Sequence, residues 1–548
     1  MKTEDERTFL GIHQLSLRAI LIGMLGSCVI TASSMYVALR MSALPWPTIF
    51  VSVLSMALLK ALGKTTLNEI NITQTAMSSG AMVAGGIAFT LPGLWITGVW
   101  KDSAITGERF WQVLGISLAG MILGTLLTWV LRPRFIDSES LPYPIGAAAA
   151  ETIVAGDQGG KKSAVLFGTM GFSAVFTFLR DSLGWIPSAI SPKWLYERNL
   201  QLGVWVSPMA VGIGYIIGTL YTGVWFLGAV LSYLIIIPLG PALGWFPSVE
   251  AAVSFKNTAG IGLMVGTGVG VLVAYLVSFF KTLKNRNKEQ KTQSAGMAIS
   301  SKGKFLMVVS VAVSFVITVL TGLAPLPSVL LIIGVFITSA MAATITGQTG
   351  INPMEIFGII VLIFIRLVVD VDTTGAFLIA ACVAVASGYA GDMLNDYKTG
   401  HILGTNPKAQ LISQFAGGLI GTVISAAAMF AIVGQFGGIG LEKGLPAGQA
   451  FAVSQMINGI GSPVVFAVAV LVGVLLYLLK VPSMTLGIGM YLSFEISAIA
   501  FVGGILRLIT ERRKSKYVES GNIAASGLLG GEGITGVTIA IIRMITGS

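Results

Sequence analysis

The stretch GDMLNDYKTGHILGTNPKAQ, residues 391–410, lies between two apolar runs, 376–390 and 411–433. Only 11% of the 548-residue chain is charged, yet this stretch concentrates ionisable groups. They include Asp392, Asp396, Lys398 and His401. Ionisable groups at membrane depth are energetically costly and usually line a pathway or a site. The pattern therefore predicts a chain that crosses a membrane and carries function at this point.

The composition predicts an all-α polytopic membrane protein with about 16 transmembrane helices. The chain is 54% hydrophobic, contains 68 glycines and has a mean hydropathy of +0.85. Its apolar runs approach or reach the roughly 20 residues that cross a bilayer. They are residues 19–39, 43–59, 76–99, 111–131, 163–179, 204–220, 223–243, 259–280, 304–323, 325–345, 356–369, 376–390, 411–433, 459–479, 484–506 and 522–542.

The net charge of +10 does not indicate a nucleic-acid partner, because the basic residues gather in short loops. Seven of the 34 Lys and Arg residues lie in 281–304, and four lie in 512–516. Positive loops of this kind face the cytoplasm. We therefore expect both loops, and the N-terminus, on the cytoplasmic side. Cys28 and Cys382 lie within apolar runs, so we expect no disulfide framework.

Seven runs separate the two basic loops, although two loops on one side require an even number of spans. The runs 356–369 and 376–390 are each shorter than a span. One interpretation is that the pair forms a single interrupted element, which would restore an even count. We therefore expect re-entrant or broken helices, which membranes tolerate where they line a cavity.

Two pairs of similar segments predict that the chain consists of two homologous halves. GKTTLNEINI (63–72) resembles GQTGINPMEI (347–356), and LAGMILGT (118–125) resembles FAGGLIGT (415–422). The predicted parts are an N-terminal transmembrane half (1–280), a basic cytoplasmic linker (281–304) and a C-terminal transmembrane half (305–548). Repeated halves that enclose a midplane site are a common plan in transporters.

A polar stripe is predicted on a helix that begins near residue 68. At 100° per residue, one arc of about 140° collects hydroxyl and amide side chains. They are Asn68, Asn71, Gln74, Thr75, Ser78 and Ser79. Glu69 and Thr73 fall outside this arc. The stripe either lines a cavity or supplies hydrogen bonds between helices.

The opening stretch also forms a polar face if it is helical. Asp392, Asn395, Asp396 and Thr399 then share an arc of about 100°. Two dehydrated carboxylates this close repel each other, so one of them is expected to hold its proton near neutral pH. A carboxylate that gains and loses a proton inside the membrane suits proton-coupled transport. The alternative is an ordinary solvated loop.

Three further acids lie among apolar residues: Glu151, Glu495 and Glu532. For Glu495 and Glu532 a coupling role and a buried ion pair are both open. No P-loop and no HExxH motif occurs in the chain, and one compact aspartate pair does not make a magnesium site. We therefore expect no enzyme, no metal site and no cofactor.

Several segments, in order along the chain, resemble the motifs of the oligopeptide transporter family. The early motif is carried by Glu69, Asn71, Gln74, Thr75, Gly85, Phe89, Thr90 and Pro92. The later ones are LPYPIGAAAAE (141–151), SPMAVGIGYIIG (207–218), the stretch 391–410 with Asp392, Asp396, Lys398 and Gly400, MYLSFEISAIAFVGG (490–504) and SGLLGGEGITG (526–536). The chain is similar to the shorter, prokaryotic branch. Glu495 departs from the family's late motif.

The resemblance implies about sixteen spans and proton-coupled uptake of small peptides across the cell (inner) membrane. Metal-chelate or siderophore-like peptide derivatives are an alternative substrate, and a pore-forming channel is an alternative of another class. Expected partners are the substrate, protons and the lipid bilayer, with a homo-oligomer left open. The substrate-binding candidates are Asn68, Asn71, Gln74, Thr75, Ser78 and Lys398. The proton-coupling candidates are Glu69, Asp392, Asp396, Glu151 and Glu495.

Overall fold

The protein is almost entirely helical in a computed structural model. The structure describes residues 8–41, 47–101, 106–158, 160–196, 200–285, 301–350, 352–440, 443, 445–458, 461–513 and 515–546. Two short antiparallel hairpins accompany the helices. They pair β1 (Thr8–Phe9) with β2 (Ile12–His13) and β3 (Ala189–Ile190) with β4 (Val204–Trp205).

The helices follow one another with short connections. In the first part of the chain they are α1 (Leu17–Met41), α2 (Pro47–Ala61), α3 (Leu67–Ala88), α4 (Gly93–Ile96), α5 (Gly107–Arg132), α6 (Pro144–Gln158), α7 (Gly160–Asp181), α8 (Lys193–Tyr196), α9 (Pro208–Ile217), α10 (Thr219–Val230), α11 (Ile237–Ala242) and α12 (Val249–Asn285). Segments of π-helix, Pro133–Ser138 and Leu231–Ile236, continue α5 and α10.

The second part of the chain contributes a similar set of helices. They are α13 (Ser301–Leu320), α14 (Pro325–Thr349), α15 (Met354–Arg366), α16 (Thr373–Leu403), α17 (Pro407–Phe436), α18 (Gly448–Asn458), α19 (Pro463–Leu478), α20 (Ser483–Tyr491), α21 (Phe494–Arg513) and α22 (Ser515–Thr546). The predicted linker falls mainly on 286–300, which lies outside the described residues.

Many of these helices are long and apolar enough to cross a membrane. Among the described residues eight meet that length and composition: Leu17–Leu39, Leu67–Ile96, Gly107–Ser138, Ala164–Asp181, Thr219–Ala242, Pro325–Gly347, Thr373–Leu403 and Pro407–Phe436. Shorter apolar helices include Lys304–Leu320 and Pro463–Leu478. The predicted class, an all-α polytopic membrane protein, is therefore confirmed.

The helices pack as two bundles, and each bundle draws on both parts of the chain. The first bundle contains α1–α3, α5, α6 and α13–α17, and the second contains α7, α9, α10, α12 and α19–α22. Glycines permit close backbone contact in each. A Cβ added to Gly86 of α3 would lie 2.7 Å from the Val385 backbone nitrogen of α16, and one added to Gly473 of α19 would lie 2.5 Å from the Leu263 carbonyl oxygen of α12. The halves 1–280 and 305–548 are thus interleaved in space.

The two matched pairs of segments lie in different helical settings. Between the matched positions, the one complete helix among the described residues is the four-residue α4 in the first part of the chain and the 31-residue α16 in the second. The internal duplication stays a prediction.

The stretch 391–410 is neither a re-entrant segment nor a solvated loop over most of its length. It continues α16, which ends at Leu403, and Gly404 then terminates the helix with a left-handed φ of 76°. The helix is about 46 Å long at 1.5 Å per residue, enough for a full span. The helix is longer than the apolar run 376–390, because buried polar side chains extend it beyond the apolar residues.

Two other predictions about helix interruption need correction. The runs 356–369 and 376–390 do not form one interrupted element, because α15 and α16 are separate helices that pack together. A Cβ on Gly358 of α15 would lie 2.6 Å from the Ala380 carbonyl oxygen of α16. The run 484–506 was predicted as one span, yet it is broken between α20 and α21 at an extended Leu492.

Candidate functional site

The polar stripe of α3 faces the acidic side of α16. Gln74 donates from Nε2 to Asp396 Oδ1 at 2.8 Å, and the Ser78 hydroxyl donates to Asp396 Oδ2. The Asp396 side chain is 0% exposed. The structure therefore brings the stripe and the aspartate together, and it encloses Asp396 in hydrogen bonds from another helix.

The rest of the stripe is joined to the start of α17. Asn71 donates from Nδ2 to Thr405 Oγ1 at 3.1 Å, and Thr405 donates to Asn68 Oδ1 at 3.0 Å. Gln410 donates from Nε2 to Thr75 Oγ1 at 3.2 Å. We call this set of contacts between α3, α16 and α17 the polar seam. Of the two roles that the sequence left open for the stripe, these contacts correspond to hydrogen bonding between helices.

The remaining polar side chains of α16 contact the first turn of α6 and the segment just before it. Asn395 Oδ1 accepts from the Gly146 backbone N–H at 3.1 Å, and Thr399 donates to the Gly146 carbonyl at 2.8 Å. Lys398 donates from Nζ to the Leu141 carbonyl at 2.9 Å. The Lys398 ammonium group therefore contacts the segment that precedes α6.

Asp392 lies one turn before Asp396 but faces a cavity. Its side chain is 7% exposed, and its Oδ2 accepts from Asn352 Nδ2 at 2.8 Å. Asn352 also donates to the Ser387 carbonyl at 3.0 Å. The cavity, which we call the central cavity, has a volume of about 190 Å³.

The central cavity lies where the two bundles meet. Its polar lining comes from Asn352, Glu355, Asp392 and Gln449. Its apolar lining includes Met82, Phe89, Trp205, Met209, Trp225, Met264, Met354, Ile488, Tyr491, Leu492 and Ile496. The Asn352 Oδ1 and Gln449 Oε1 atoms are buried and have no hydrogen-bond partner among the described residues. An apolar cavity with a few convergent polar groups is typical of a small-molecule site.

Comparison with known proteins identifies the family. The model of the OPT oligopeptide transporter protein matches residues 14–543. The chain belongs to the OPT oligopeptide transporter family. This is a transporter family and not an enzyme family, so the resemblance stated from the motifs is confirmed.

Relatives of this OPT transporter occur in bacteria and plants. It is 26% identical to a protein named "Putative oligopeptide transporter" from Haemophilus influenzae, over 93% of this chain and 92% of that protein. It is 24% identical to "Probable metal-nicotianamine transporter YSL6" from Arabidopsis thaliana, over 80% and 76%. It is 22% identical to "Probable metal-nicotianamine transporter YSL14" from Oryza sativa subsp. japonica, over 87% and 77%.

The predicted stripe residues of the OPT transporter do not line the central cavity. The α3 side chain that does is Met82, one turn beyond Ser78. In the polar seam, Asn71 Oδ1 and Gln74 Oε1 are buried without a hydrogen-bond partner in the part of the chain that the structure describes. An unpaired buried acceptor costs stability, so the polar seam retains unused capacity to accept hydrogen bonds.

The sequence analysis missed three polar residues of the central cavity: Asn352, Glu355 and Gln449. A signal for two of them was present in the similar segments, where Asn352 aligns with Asn68 and Glu355 with Asn71. Gln449 follows a turn rather than an apolar run, and no pattern singles it out.

Glu69 lies at the start of α3 in an ion pair. It accepts from Arg18 Nε at 3.1 Å, Ser16 Oγ at 2.7 Å and Thr65 Oγ1 at 2.7 Å. Glu151 lies in the middle of α6 and is partly exposed. Neither residue lines the central cavity.

Glu495 lies in the first turn of α21 and lines a second cavity of about 650 Å³. It accepts a hydrogen bond from Ser191 Oγ at 3.3 Å. Trp205 and Ile496 line both cavities, so the two spaces adjoin. Glu495 therefore lies next to the central cavity rather than in it.

Glu532 belongs to a buried ion pair, one of the two alternatives that the sequence left open. Arg180 Nη1 lies 2.9 Å from Glu532 Oε1, and both side chains are less than 5% exposed. The Ser207 hydroxyl and the Met209 backbone N–H also donate to Glu532, at 2.9 and 2.8 Å. These bonds fix the start of α9, which supplies Met209 to the central cavity.

The described residues offer little for a bound metal ion. In these parts of the chain, no three His, Cys, Asp or Glu side chains come together as metal ligands would.

Proposed function

We propose that this OPT transporter takes up small peptides by coupling their entry to protons across the cell inner membrane. The observation that carries the proposal is the Asp392 carboxylate on the wall of a cavity between two bundles. A carboxylate at membrane depth is costly unless it serves transport or catalysis, and this chain belongs to a transporter family.

The chemistry of the central cavity suits a short peptide. The Asp392 and Glu355 carboxylates can bind an amino terminus, whose ammonium group forms charge-assisted hydrogen bonds. The unpaired oxygens of Asn352 and Gln449 can accept from peptide N–H groups. Methionine and aromatic side chains can accommodate different peptide side chains, because methionine packs adaptably.

We propose that Asp392 is the main proton-coupling residue and that the two bundles move relative to each other around the central cavity. Asp396 supports it from the polar seam, and Glu69, Glu151 and Glu495 stay candidates of lower rank. The stripe residues Asn68, Asn71, Gln74, Thr75 and Ser78, with Lys398, would guide substrate only if the polar seam opens. The proposed transporter has about sixteen membrane spans, which derive from two homologous halves.

A metal chelate is the second candidate substrate. Two of the relatives carry names as metal-nicotianamine transporters, and such chelates also present carboxylate and amine groups.

Uptake by purified protein in liposomes tests the proposal. With an inside-alkaline pH difference, a labelled dipeptide should accumulate above its outside concentration, and a protonophore should abolish the accumulation. Competition by unlabelled di- to pentapeptides and by metal–nicotianamine should identify the substrate class. Uptake that only reaches equilibrium and ignores pH would instead support the channel alternative.

A further inference from the structure

Lys256 is a buried cation that contacts the backbone of Tyr491, a residue that lines the central cavity. It lies in α12, and its side chain is 3% exposed. Nζ donates to the carbonyls of Met490 and Tyr491, at 3.1 Å each. It also lies 4.7 Å from the centroid of the Tyr233 ring. Within the described ranges, no carboxylate pairs with this ammonium group.

The two carbonyls belong to the end of a half-helix. Met490 and Tyr491 are the last residues of α20, and the chain is extended at Leu492 before α21 begins at Phe494. The last carbonyls of a helix have no partner within the helix and carry partial negative charge. The Ser232 hydroxyl donates to Met490 as well, at 3.2 Å. This helix end therefore attracts a cation.

The same break shapes the central cavity. Ile488, Tyr491, Leu492 and Ile496 line it from α20, the break and α21. In transporters with discontinuous helices, unwound carbonyls and half-helix C-termini often bind the coupling cation. Here the corresponding position is already filled by a side chain of the protein.

We propose that Lys256 is a tethered cation that fills a monovalent cation site at the end of α20. As a positioning residue, it holds the break in the conformation that shapes the central cavity. The wild-type protein would therefore bind no free sodium there. Removing the side chain beyond Cβ should leave a site for a free monovalent or small alkylammonium ion.

Chemical rescue of purified full-length variants tests this inference without transport or a known substrate. K256A removes a propylammonium group, so n-propylammonium is the matched probe and n-propanol is its neutral control. We expect K256A to unfold several degrees below wild type in N-methyl-D-glucamine chloride. Propylammonium or Na⁺ should restore at least half of the difference, whereas propanol should not.

Two proteins serve as controls in the same experiment. Wild type should not respond to these cations, because Lys256 fills the site. K256M should not respond either, because methionine fills the volume without charge. A K256A protein that is as stable as wild type, or that no cation stabilises, would overturn the inference.

Hydrogen exchange of K256M provides a second test if K256A does not fold. Backbone amides of 488–496 should exchange faster than in wild type, with a peptide from α17 unchanged as the internal control. Unchanged exchange at 488–496 would overturn the inference. Because neither readout involves transport, a failure here is distinct from a failure of the proposed peptide uptake.

Discussion

Asp392 and Asp396 lie one turn apart on α16, yet their surroundings differ. Asp396 is 0% exposed and accepts from Gln74 and Ser78 across the polar seam. Asp392 accepts from the Asn352 amide and otherwise faces the central cavity. Identical side chains on one helix thus meet a packed interface in one case and a space for substrate in the other.

The difference indicates how an acid in a membrane protein acquires its role. A carboxylate whose partners come from a packed helix is held in place, and changing its charge would disturb both helices. A carboxylate on a cavity wall can gain or lose a proton as its neighbour in the cavity changes. We therefore expect Asp392 to govern coupling and Asp396 to govern stability.

The largest expected effect is the loss of coupling in D392N. Dipeptide accumulation driven by a pH difference should fall to the level of protein-free liposomes, because the side chain can no longer carry a proton. Exchange of labelled for unlabelled dipeptide at equal pH should persist at saturating dipeptide, since bundle movement does not require proton release. Its KM should rise, because D392N also loses a charge-assisted contact to the amino terminus. Accumulation by D392N at the wild-type level would assign coupling to another acid.

The next effect is on stability and concerns Asp396. D396A leaves the Gln74 and Ser78 donors without their buried acceptor, which should cost about 2–6 kcal/mol at roughly 1–3 kcal/mol per lost partner. Thermal unfolding in detergent measures the loss. D392A is the matched control and should lose less, because Asn352 keeps its bond to the Ser387 carbonyl. Equal losses would remove the distinction between the two aspartates.

A smaller effect is expected for the cavity acid that the sequence analysis missed. E355Q should raise the KM for a dipeptide about tenfold, which corresponds to roughly 1.4 kcal/mol, because it loses one charge-assisted contact to the amino terminus. Initial uptake rates measure it. E250Q, at an exposed glutamate at the start of α12, is the control and should leave KM unchanged. An unchanged KM in E355Q would exclude Glu355 from substrate binding.

The smallest effect is expected for Glu69. Glu69 itself is 0% exposed, but its partner Arg18 has a side chain that is 31% exposed. Because glutamine can still accept hydrogen bonds from the same donors, the loss should be about 1 kcal/mol, the net contribution of one hydrogen bond. E69Q should therefore lower the unfolding temperature slightly and retain pH-driven accumulation. If E69Q abolishes that accumulation, Glu69 takes part in proton coupling together with the aspartates of α16.

The sequence predicted the features that stand out against an apolar background. The helical membrane fold, the α3 stripe and both aspartates of α16 follow from polar residues inside hydrophobic runs. The resemblance of ordered motifs predicted the family. These signals are local in sequence, so they can be recognised without knowledge of the neighbouring helices.

Features that depend on tertiary partners could not be predicted in this way. The continuation of α16 to Leu403 depends on hydrogen bonds from α3 and α6 that accommodate its polar face. The break at Leu492 coincides with the ammonium of Lys256, which lies more than 200 residues away in sequence. The structural role of Glu532 depends on its ion pair with Arg180, which is far away in sequence.

The most direct test measures proton movement beside substrate movement in the two aspartate variants. Liposomes containing D392N or D396N, loaded with a pH-sensitive dye, would receive a dipeptide at equal pH on both sides. We predict that D396N acidifies the interior as the dipeptide enters, whereas D392N admits the dipeptide with no pH change. Acidification by D392N together with its loss in D396N would contradict the assignment of coupling to the cavity aspartate.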